Sequence, residues 1–190
     1  MAESRSKFQR DFLTYQSAIV LIPPEEAWPA IQAIRQKYDR KMRRWMPHIT
    51  LVYPFWDHSR FDEAIERLRP ICAHASPFEV TLAEFRTFDH GRQRFTIWLA
   101  PRPKEPIVAL YRQLVTTLGL TVKRRQHPSE FTPHLSVGQV QGTNERARLL
   151  SQLTQEWCPV TFTIGQIHLI WRNLPPDDIF RVQKSVPLGN

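Results

Sequence analysis

The chain of 190 residues is long enough for one domain with a substantial core and too short for a large multidomain assembly. Its 26 Lys and Arg residues against 18 Asp and Glu give a formal net charge of +8, which favours a polyanionic partner such as nucleic acid or a nucleotide. Hydrophobic residues at 42% and charged residues at 23% are ordinary globular values and exclude a disordered or fibrous chain.

The pattern of apolar residues alternates between strands and helices along the first half of the chain. It predicts a strand over 18–22, a helix over 25–38, a strand over 47–55, a helix over 61–72 and a strand from 78 that turns at His90-Gly91 into a partner strand around 95–99. The second half continues with a helix over 107–118, a strand over 133–140, a helix over 147–157, a strand over 160–171 and a last strand over 179–186.

The order strand, helix, strand, helix, strand therefore occurs twice, which indicates a duplication into two similar lobes. Chance similarity between two stretches of an α/β chain is the alternative. The strand alternation slips by one residue at Ala83-Glu84 and again at Gly165-Gln166, which predicts a β-bulge at each place. The predicted organisation is one domain over 1–190, with lobe one at about 15–90, lobe two at about 91–190 and strand exchange between the lobes.

Two short motifs lie on corresponding strands of the two repeats. They read Pro47-His48-Ile49-Thr50-Leu51 and Pro133-His134-Leu135-Ser136-Val137. Because side chains alternate across a strand, each histidine shares one face of its strand with the hydroxyl two residues later. If the lobes face one another, the two imidazoles and the two hydroxyls converge on one cleft.

Such a constellation suits the cleavage of a phosphodiester. One histidine can deprotonate the attacking oxygen and the other can protonate the leaving oxygen near neutral pH, because an unperturbed imidazole titrates near 6.5. The hydroxyls of Thr50 and Ser136 can donate to the oxygens on which charge accumulates. One His-x-Thr segment is common by chance, whereas two copies at matching positions of a repeat are specific.

The motif pair and its placement resemble the 2H phosphoesterase superfamily, in particular the group called 2′-5′ RNA ligase-like or LigT-like, over about 18–186. The resemblance implies an α+β, bilobal duplicated fold with two antiparallel sheets lining a central cleft and helices outside. It also implies metal-independent action on 2′,3′-cyclic phosphates, 2′-5′ linkages or RNA 3′ ends. By the motif match, His48 and His134 are the acid/base pair, and Thr50 and Ser136 bind phosphate oxygens.

Two residues depart from the pattern of this family. Ser136 stands where Thr is commoner, which is chemically mild. Gln139 stands where several relatives of the bacterial ligase type have a basic residue, which puts the ligase subgroup in doubt. Arg172, Arg94 or the basic cluster at 123–125 are alternative sources of positive charge at the phosphate.

Further candidates surround the motif strands. Aromatic residues that could stack on a base are Tyr53, Phe55, Trp56, Phe131 and Trp171, with Tyr53 and Trp171 as first choices. Among the remaining histidines, His168 is a candidate for lining the cleft, because alternation places it opposite Ile167 and Leu169. The position of His127 is open, and His58, His74 and His90 are predicted to be surface residues.

The predicted function is a metal-independent phosphodiesterase that acts on RNA ends or nucleotides and opens a 2′,3′-cyclic phosphate to a 2′-phosphate. Which histidine is the acid stays open at this stage. The alternatives are a 2′-5′ phosphodiesterase or RNA 2′-5′ ligase, and an RNA-binding module without turnover. A zinc site on His48 and His134 is a further alternative, although no carboxylate or thiol has conventional ligand spacing near either motif.

No cofactor and no metal are expected, and the expected partner is RNA or a small nucleotide bound by a monomer. Two cysteines, Cys72 and Cys158, are too few for a disulfide framework and fit a reducing compartment. The polar first residues and the absence of an 18-residue apolar run predict a cytoplasmic protein with no membrane contact.

Overall fold

The computed structural model describes residues 13–120 and 131–189, and this part of the chain forms an α+β structure with antiparallel strands. The helices are α1 (Trp28–Tyr38), α2 (Phe61–His74), α3 (Glu105–Thr117) and α4 (Thr143–Glu156), with 3-10 turns at Glu25–Ala27 and His58–Arg60. The strands are β1 (Leu13–Thr14), β2 (Ser17–Leu21), β3 (Ile49–Val52), β4 (Phe55–Trp56), β5 (Phe78–Asp89), β6 (Arg94–Arg102), β7 (Leu135–Gln141), β8 (Val160–Ile164), β9 (Gln166–Trp171) and β10 (Arg181–Pro187). The predicted α+β class with antiparallel sheets is confirmed.

The helices follow the apolar stripes that the sequence predicts. Along α2 the buried residues Phe61, Ala64, Leu68 and Cys72 recur every three or four positions, a spacing that places them on one side of a helix. The buried sides of all four helices join the buried faces of the strands in one hydrophobic core. Within 13–120 and 131–189, no helix has the length and apolar character needed to cross a membrane.

Eight strands form one large sheet in the order β10-β9-β2-β3-β7-β6-β5-β8, and neighbouring strands are antiparallel. Two groups of four strands meet in the middle of this order, where β3 pairs with β7. Strands β1 and β4 form a second, two-stranded sheet. The sequence did not predict β1, because two residues are too short to show any alternation.

Gly165 brings the two ends of the large sheet together. It is the one residue between β8, at one edge of the sheet, and β9, which lies beside β2 and β10 at the other end. Because consecutive Cα atoms are only about 3.8 Å apart, the sheet must curl until its ends adjoin. The backbone N–H of Leu188, just after β10, donates to the carbonyl of Gly165 at 2.8 Å and holds the last strand at the same point.

One of the two predicted β-bulges is present and the other is not. The register of β5 against β6 shifts between Leu82 and Glu84, which confirms the bulge at Ala83-Glu84. The prediction of a bulge at Gly165-Gln166 is wrong, because β8 ends at Ile164 and β9 begins at Gln166 on different partner strands. The curl of the sheet changes the partners at this residue, so the alternation slips without a bulge.

Two of the strand pairings join equivalent residues of the two repeats. Ile49 of the first motif pairs with Leu135 of the second, and Val80 in the strand after α2 pairs with Phe162 in the strand after α4. Contacts between equivalent positions are what an approximate two-fold axis produces. The two histidine motifs therefore meet at such an axis, whereas the predicted limits of the two lobes stay a prediction.

Gly138 allows α1 to approach β7 closely, and this contact gives a test of the packing. A Cβ atom on Gly138 would lie 2.6 Å from the Cβ of Tyr38 and 3.2 Å from the Tyr38 carbonyl oxygen. We expect Gly138→Ala to lower the free energy of unfolding by about 1–3 kcal/mol in urea denaturation, because helix and strand must separate. Gly165→Ala is the matched control, since nothing lies within 4 Å of its Cβ position. Equal losses in both variants would contradict this assignment.

Candidate active site

The four motif side chains lie on one face of the sheet, at the pairing of β3 with β7. Ile49 and Leu135 are fully buried in the core on the side where the helices pack, which is called the helix face here. The neighbouring motif residues His48, Thr50, His134 and Ser136 are all half-buried and alternate to the opposite side, called the site face. One residue out from the Ile49–Leu135 pair, antiparallel counting places His48 beside Ser136 and Thr50 beside His134.

Each motif histidine is held by a hydrogen bond of the same kind, between its Nδ1 and a backbone carbonyl. His48 Nδ1 lies 2.7 Å from the carbonyl oxygen of Met46, and His134 Nδ1 lies 2.8 Å from the carbonyl oxygen of Thr132. A carbonyl only accepts, so Nδ1 donates and carries the proton in each neutral imidazole. Each Nε2 then keeps its lone pair for a proton from a ligand. The symmetry of the two bonds supports an equivalent origin of the two motifs.

Aromatic walls that the sequence analysis missed surround both imidazoles. The ring of Trp45 stacks on His48 at 4.6 Å between centroids and packs on Phe180 at 3.8 Å. On the other side, Phe88 and Trp98 meet the ring of His134 edge to face at 4.8 and 5.8 Å. Trp98 could have been found from alternation, because it points away from the buried Ile97 and Leu99 of the same strand. Phe180 lies far from either motif in sequence and gave no such signal.

The surroundings of both histidines disfavour their charged forms. Burial lowers the pKa of His48 from 6.5 to about 4, and the nearby Arg35 guanidinium and His134 imidazole act in the same direction. The Met46 carbonyl and the Asp39 carboxylate oppose this shift only in part. Burial also lowers the pKa of His134, against the effect of the Thr132 carbonyl. Both imidazoles are therefore neutral at pH 7 in the free protein.

A buried ion pair supports the loop that carries Trp45. Arg35 is 2% exposed, donates to Asp39 at 2.8 Å through Nε and to the carbonyl of Trp45 at 2.8 Å through Nη2. The other oxygen of Asp39 accepts from Gln139 Nε2 at 3.0 Å, and Gln139 Oε1 accepts from the backbone of Arg40 at 3.1 Å. Gln139, the residue that departs from the ligase-type pattern, thus links β7 to the loop before His48.

His168 lies on the site face in line with the first motif. It pairs with Val20 across the sheet, and Val20 in turn pairs with Thr50. Its Nδ1 lies 2.9 Å from the hydroxyl of Ser185, and burial lowers the pKa of its imidazole. Strands β2 and β3 lie between His168 on β9 and the line where β3 pairs with β7. His168 therefore belongs to the outer part of the site face.

Of the two first-choice aromatic residues, the structure brings only Tyr53 near the motif histidines. The Tyr53 ring meets Trp45 edge to face at 5.4 Å, and the Trp45 ring covers His48. Trp171 instead lies on the helix face with Ile167 and Leu169, where its ring contacts His58 at 4.2 Å. The strand alternation of β9 accounts for this placement, since residues 167, 169 and 171 share a side.

Arg172 is the predicted basic residue that lies on the site-face side. Its guanidinium lies 5.4 Å from the centre of the Phe180 ring and interacts electrostatically with the hydroxyl of Tyr53. Its Nη1 donates to the carbonyl of Asn173 at 3.2 Å. Arg94 is exposed at the start of β6. It pairs with Gln141, the last residue of β7, which lies three positions after Gly138.

The other predicted candidates lie away from the motifs or outside the described residues. Phe55 and Trp56 are buried in the core, and Phe131 stacks on Tyr111 at 3.9 Å. His58, His74 and His90 are exposed, as predicted. The basic cluster at 123–125 and His127 are among residues 121–130, which the structure does not describe.

The two motifs on one sheet face form the candidate active site of the chain. The family model of the 2′-5′ RNA ligase superfamily matches residues 23–175, and the chain belongs to this superfamily. A protein named as a phosphoesterase in Geobacillus kaustophilus (strain HTA426) is 28% identical over 155 residues, which are 81% of this chain and 86% of that protein. One of the same name in Halalkalibacterium halodurans is 25% identical over 155 residues, covering 81% and 87% of the two chains.

Solved structures of similar proteins share the fold. The structure of E. coli LigT complexed with 3′-AMP has a TM-score of 0.64 at 14% identity, covering 93% of this chain and 99% of LigT. TT0787 of Thermus thermophilus has a TM-score of 0.60 at 15% identity, covering 92% and 99%. Usb1 of Kluyveromyces marxianus has a TM-score of 0.56 at 10% identity, covering 93% and 99%. Membership of the superfamily supports a function of the phosphodiesterase type for this chain, and the solved structures show that the fold is shared.

Proposed function

We propose that the chain is a metal-independent phosphodiesterase that opens a 2′,3′-cyclic phosphate at the end of an RNA or on a nucleotide, giving a 2′-phosphate. The observation that carries the proposal is the pair of imidazoles, each fixed through Nδ1 to a backbone carbonyl two residues earlier. This leaves two Nε2 atoms on one face of the sheet, each beside a hydroxyl of the other motif. An in-line displacement needs a base and an acid on opposite sides of phosphorus.

In the proposed reaction His48 is the base and His134 is the acid. Water attacks phosphorus and loses a proton to His48 Nε2, while His134 Nε2 protonates the 3′ oxygen as its bond to phosphorus breaks. The pKa of about 4 supports the role of His48, because above that pH its Nε2 is unprotonated and can accept the proton of the water. Thr50 and Ser136 donate to the non-bridging oxygens, where negative charge increases.

The proposal is tested by incubation of the protein with a 2′,3′-cyclic mononucleotide in excess chelator, with the product identified by chromatography. We expect a 2′-phosphate, because two imidazoles supply the proton transfers for which other phosphodiesterases use a metal. A parallel reaction with a 2′-5′ dinucleotide separates the cyclic phosphodiesterase from the 2′-5′ alternative. Activity that is lost in chelator and restored by zinc or manganese would replace this mechanism with metal-assisted hydrolysis.

A further inference from the structure

Three aromatic rings lead from the His48 imidazole to the protein surface. Trp45 stacks on His48, Tyr53 meets Trp45 edge to face at 5.4 Å, and Tyr15 meets Tyr53 edge to face at 5.6 Å. The rings of Trp45, Tyr53 and Tyr15 are called the aromatic track here. Their order places Tyr15 farthest from the histidines, so a ligand that touches Tyr15 must extend well beyond the phosphate.

The outer two rings of the track are open to solvent. Tyr53 is 41% exposed and Tyr15 is 58% exposed, and they are two of four exposed large apolar residues in the described ranges, with Leu174 and Val182. The Tyr53 hydroxyl donates to the carbonyl of Tyr15 at 3.2 Å, which holds the two rings in a fixed relation. Exposed aromatic surface that is already ordered costs little entropy on binding, and it is typical of a recognition site.

Positive charge accompanies the aromatic track. The Arg172 guanidinium lies beside Tyr53, as described above. On the loop before Trp45, the side chains of Arg43 and Arg44 share the single carboxylate of Asp178, which leaves one positive charge in excess. Both arginine side chains remain largely exposed, at 63% and 43%. Aromatic rings with cations beside them are the usual elements of a site for single-stranded nucleic acid.

On the opposite side of the site, the rings of described residues that meet His134 are less exposed than those of Tyr53 and Tyr15. Trp98, which meets the His134 ring, is 4% exposed, and Phe88, which also meets it, is half-buried. Arg86 is the partner of Trp98 on the neighbouring strand. Its guanidinium forms an ion pair with Glu84 at 2.9 Å, and Arg102 lies 3.6 Å from the same carboxylate. These two arginines share one carboxylate, as Arg43 and Arg44 do, so charge does not distinguish the two sides of the site. Among the described residues, the two sides of the site therefore differ in how much aromatic surface they expose.

We propose that the aromatic track binds the unpaired bases of an RNA end whose terminal cyclic phosphate lies between the two histidines. This inference rests on the proposed function and deepens it. The substrate chain leaves the site on the His48 side, the first base stacks at Tyr53 and a base farther along the chain stacks at Tyr15. The preferred substrate is a single-stranded oligonucleotide end, and a mononucleotide uses only the inner part of the site.

The test compares kcat/KM for a 2′,3′-cyclic mononucleotide with that for a trinucleotide bearing the same cyclic end. We expect the trinucleotide to have the higher kcat/KM. We expect Tyr15→Leu to lower the ratio of kcat/KM for the trinucleotide to kcat/KM for the mononucleotide about tenfold, because leucine has no ring for a base to stack on. Tyr15→Phe keeps the ring and should keep the ratio. Arg148→Gln, an exposed arginine on α4, is the matched surface control.

The outcomes separate the two proposals. Equal kcat/KM for both substrates, or a ratio unaffected by Tyr15→Leu, would overturn the aromatic track while leaving the phosphodiesterase in place. A trinucleotide advantage that persists when its bases are paired in a duplex would also overturn it, because stacking on the track needs unpaired bases. Absence of turnover on every cyclic substrate would overturn the proposed function itself.

Discussion

Replacement of either motif histidine by alanine is expected to lower kcat by about 10²–10⁴-fold, the usual contribution of a positioned acid or base. Each variant removes one of the two Nε2 atoms that transfer protons in the proposed mechanism, while the second histidine remains fixed to its backbone carbonyl. The measurement is steady-state hydrolysis of a 2′,3′-cyclic mononucleotide by His48→Ala and His134→Ala. Both side chains are only half-buried and lie just before the first residue of a strand, so the fold should survive.

His74→Ala is the matched control for these variants. His74 Nδ1 also lies close to a backbone carbonyl, that of Pro70 at 2.6 Å, but the residue is exposed at the end of α2. We expect this variant to keep wild-type kcat. Circular dichroism melting curves of all three variants show whether a loss of rate reflects a loss of structure. Near-normal turnover by a folded His48→Ala or His134→Ala would refute the paired-histidine mechanism.

The placement of the motif side chains could be predicted from the sequence because it depends on local geometry. Strand alternation determines that His48 and Thr50 share a face, whatever the rest of the fold does. The repeated order of elements indicated that the two motifs occupy equivalent strands. The direct pairing of Ile49 with Leu135 could not be predicted, because strand partners depend on how the whole sheet closes.

The aromatic walls show the limit of local patterns more clearly. Trp45 stacks on His48 because a buried arginine in α1 holds the carbonyl of Trp45, and because Phe180 packs on the other side of its ring. These contacts join residues from three separate parts of the chain. The bulge at Gly165-Gln166 was wrongly predicted for the same reason. A change of partner strand and a bulge produce the same slip in the alternation of apolar residues.

The pH dependence of kcat/KM is expected to be bell-shaped, with its maximum on the acid side of pH 6.5. The proposed base, His48, must be neutral, and its pKa of about 4 sets the acid limb. The proposed acid, His134, must be protonated, and burial holds its pKa below 6.5, so the rate falls as the pH rises past that value. At two pH units above the pKa that sets the alkaline limb, kcat/KM should be about 100-fold below its maximum.

Burial thus moves the optimum to the acid side of the near-neutral value that unperturbed imidazoles would give. The limb values belong to a coupled pair, so the single variants are needed: His134→Ala should lose the alkaline limb and His48→Ala the acid limb. In the substrate complex the phosphate anion favours both imidazolium forms, so the kcat profile should lie at higher pH than the kcat/KM profile. A kcat/KM maximum above pH 7 would show that the two histidines are not held in the buried, neutral state from which this mechanism starts.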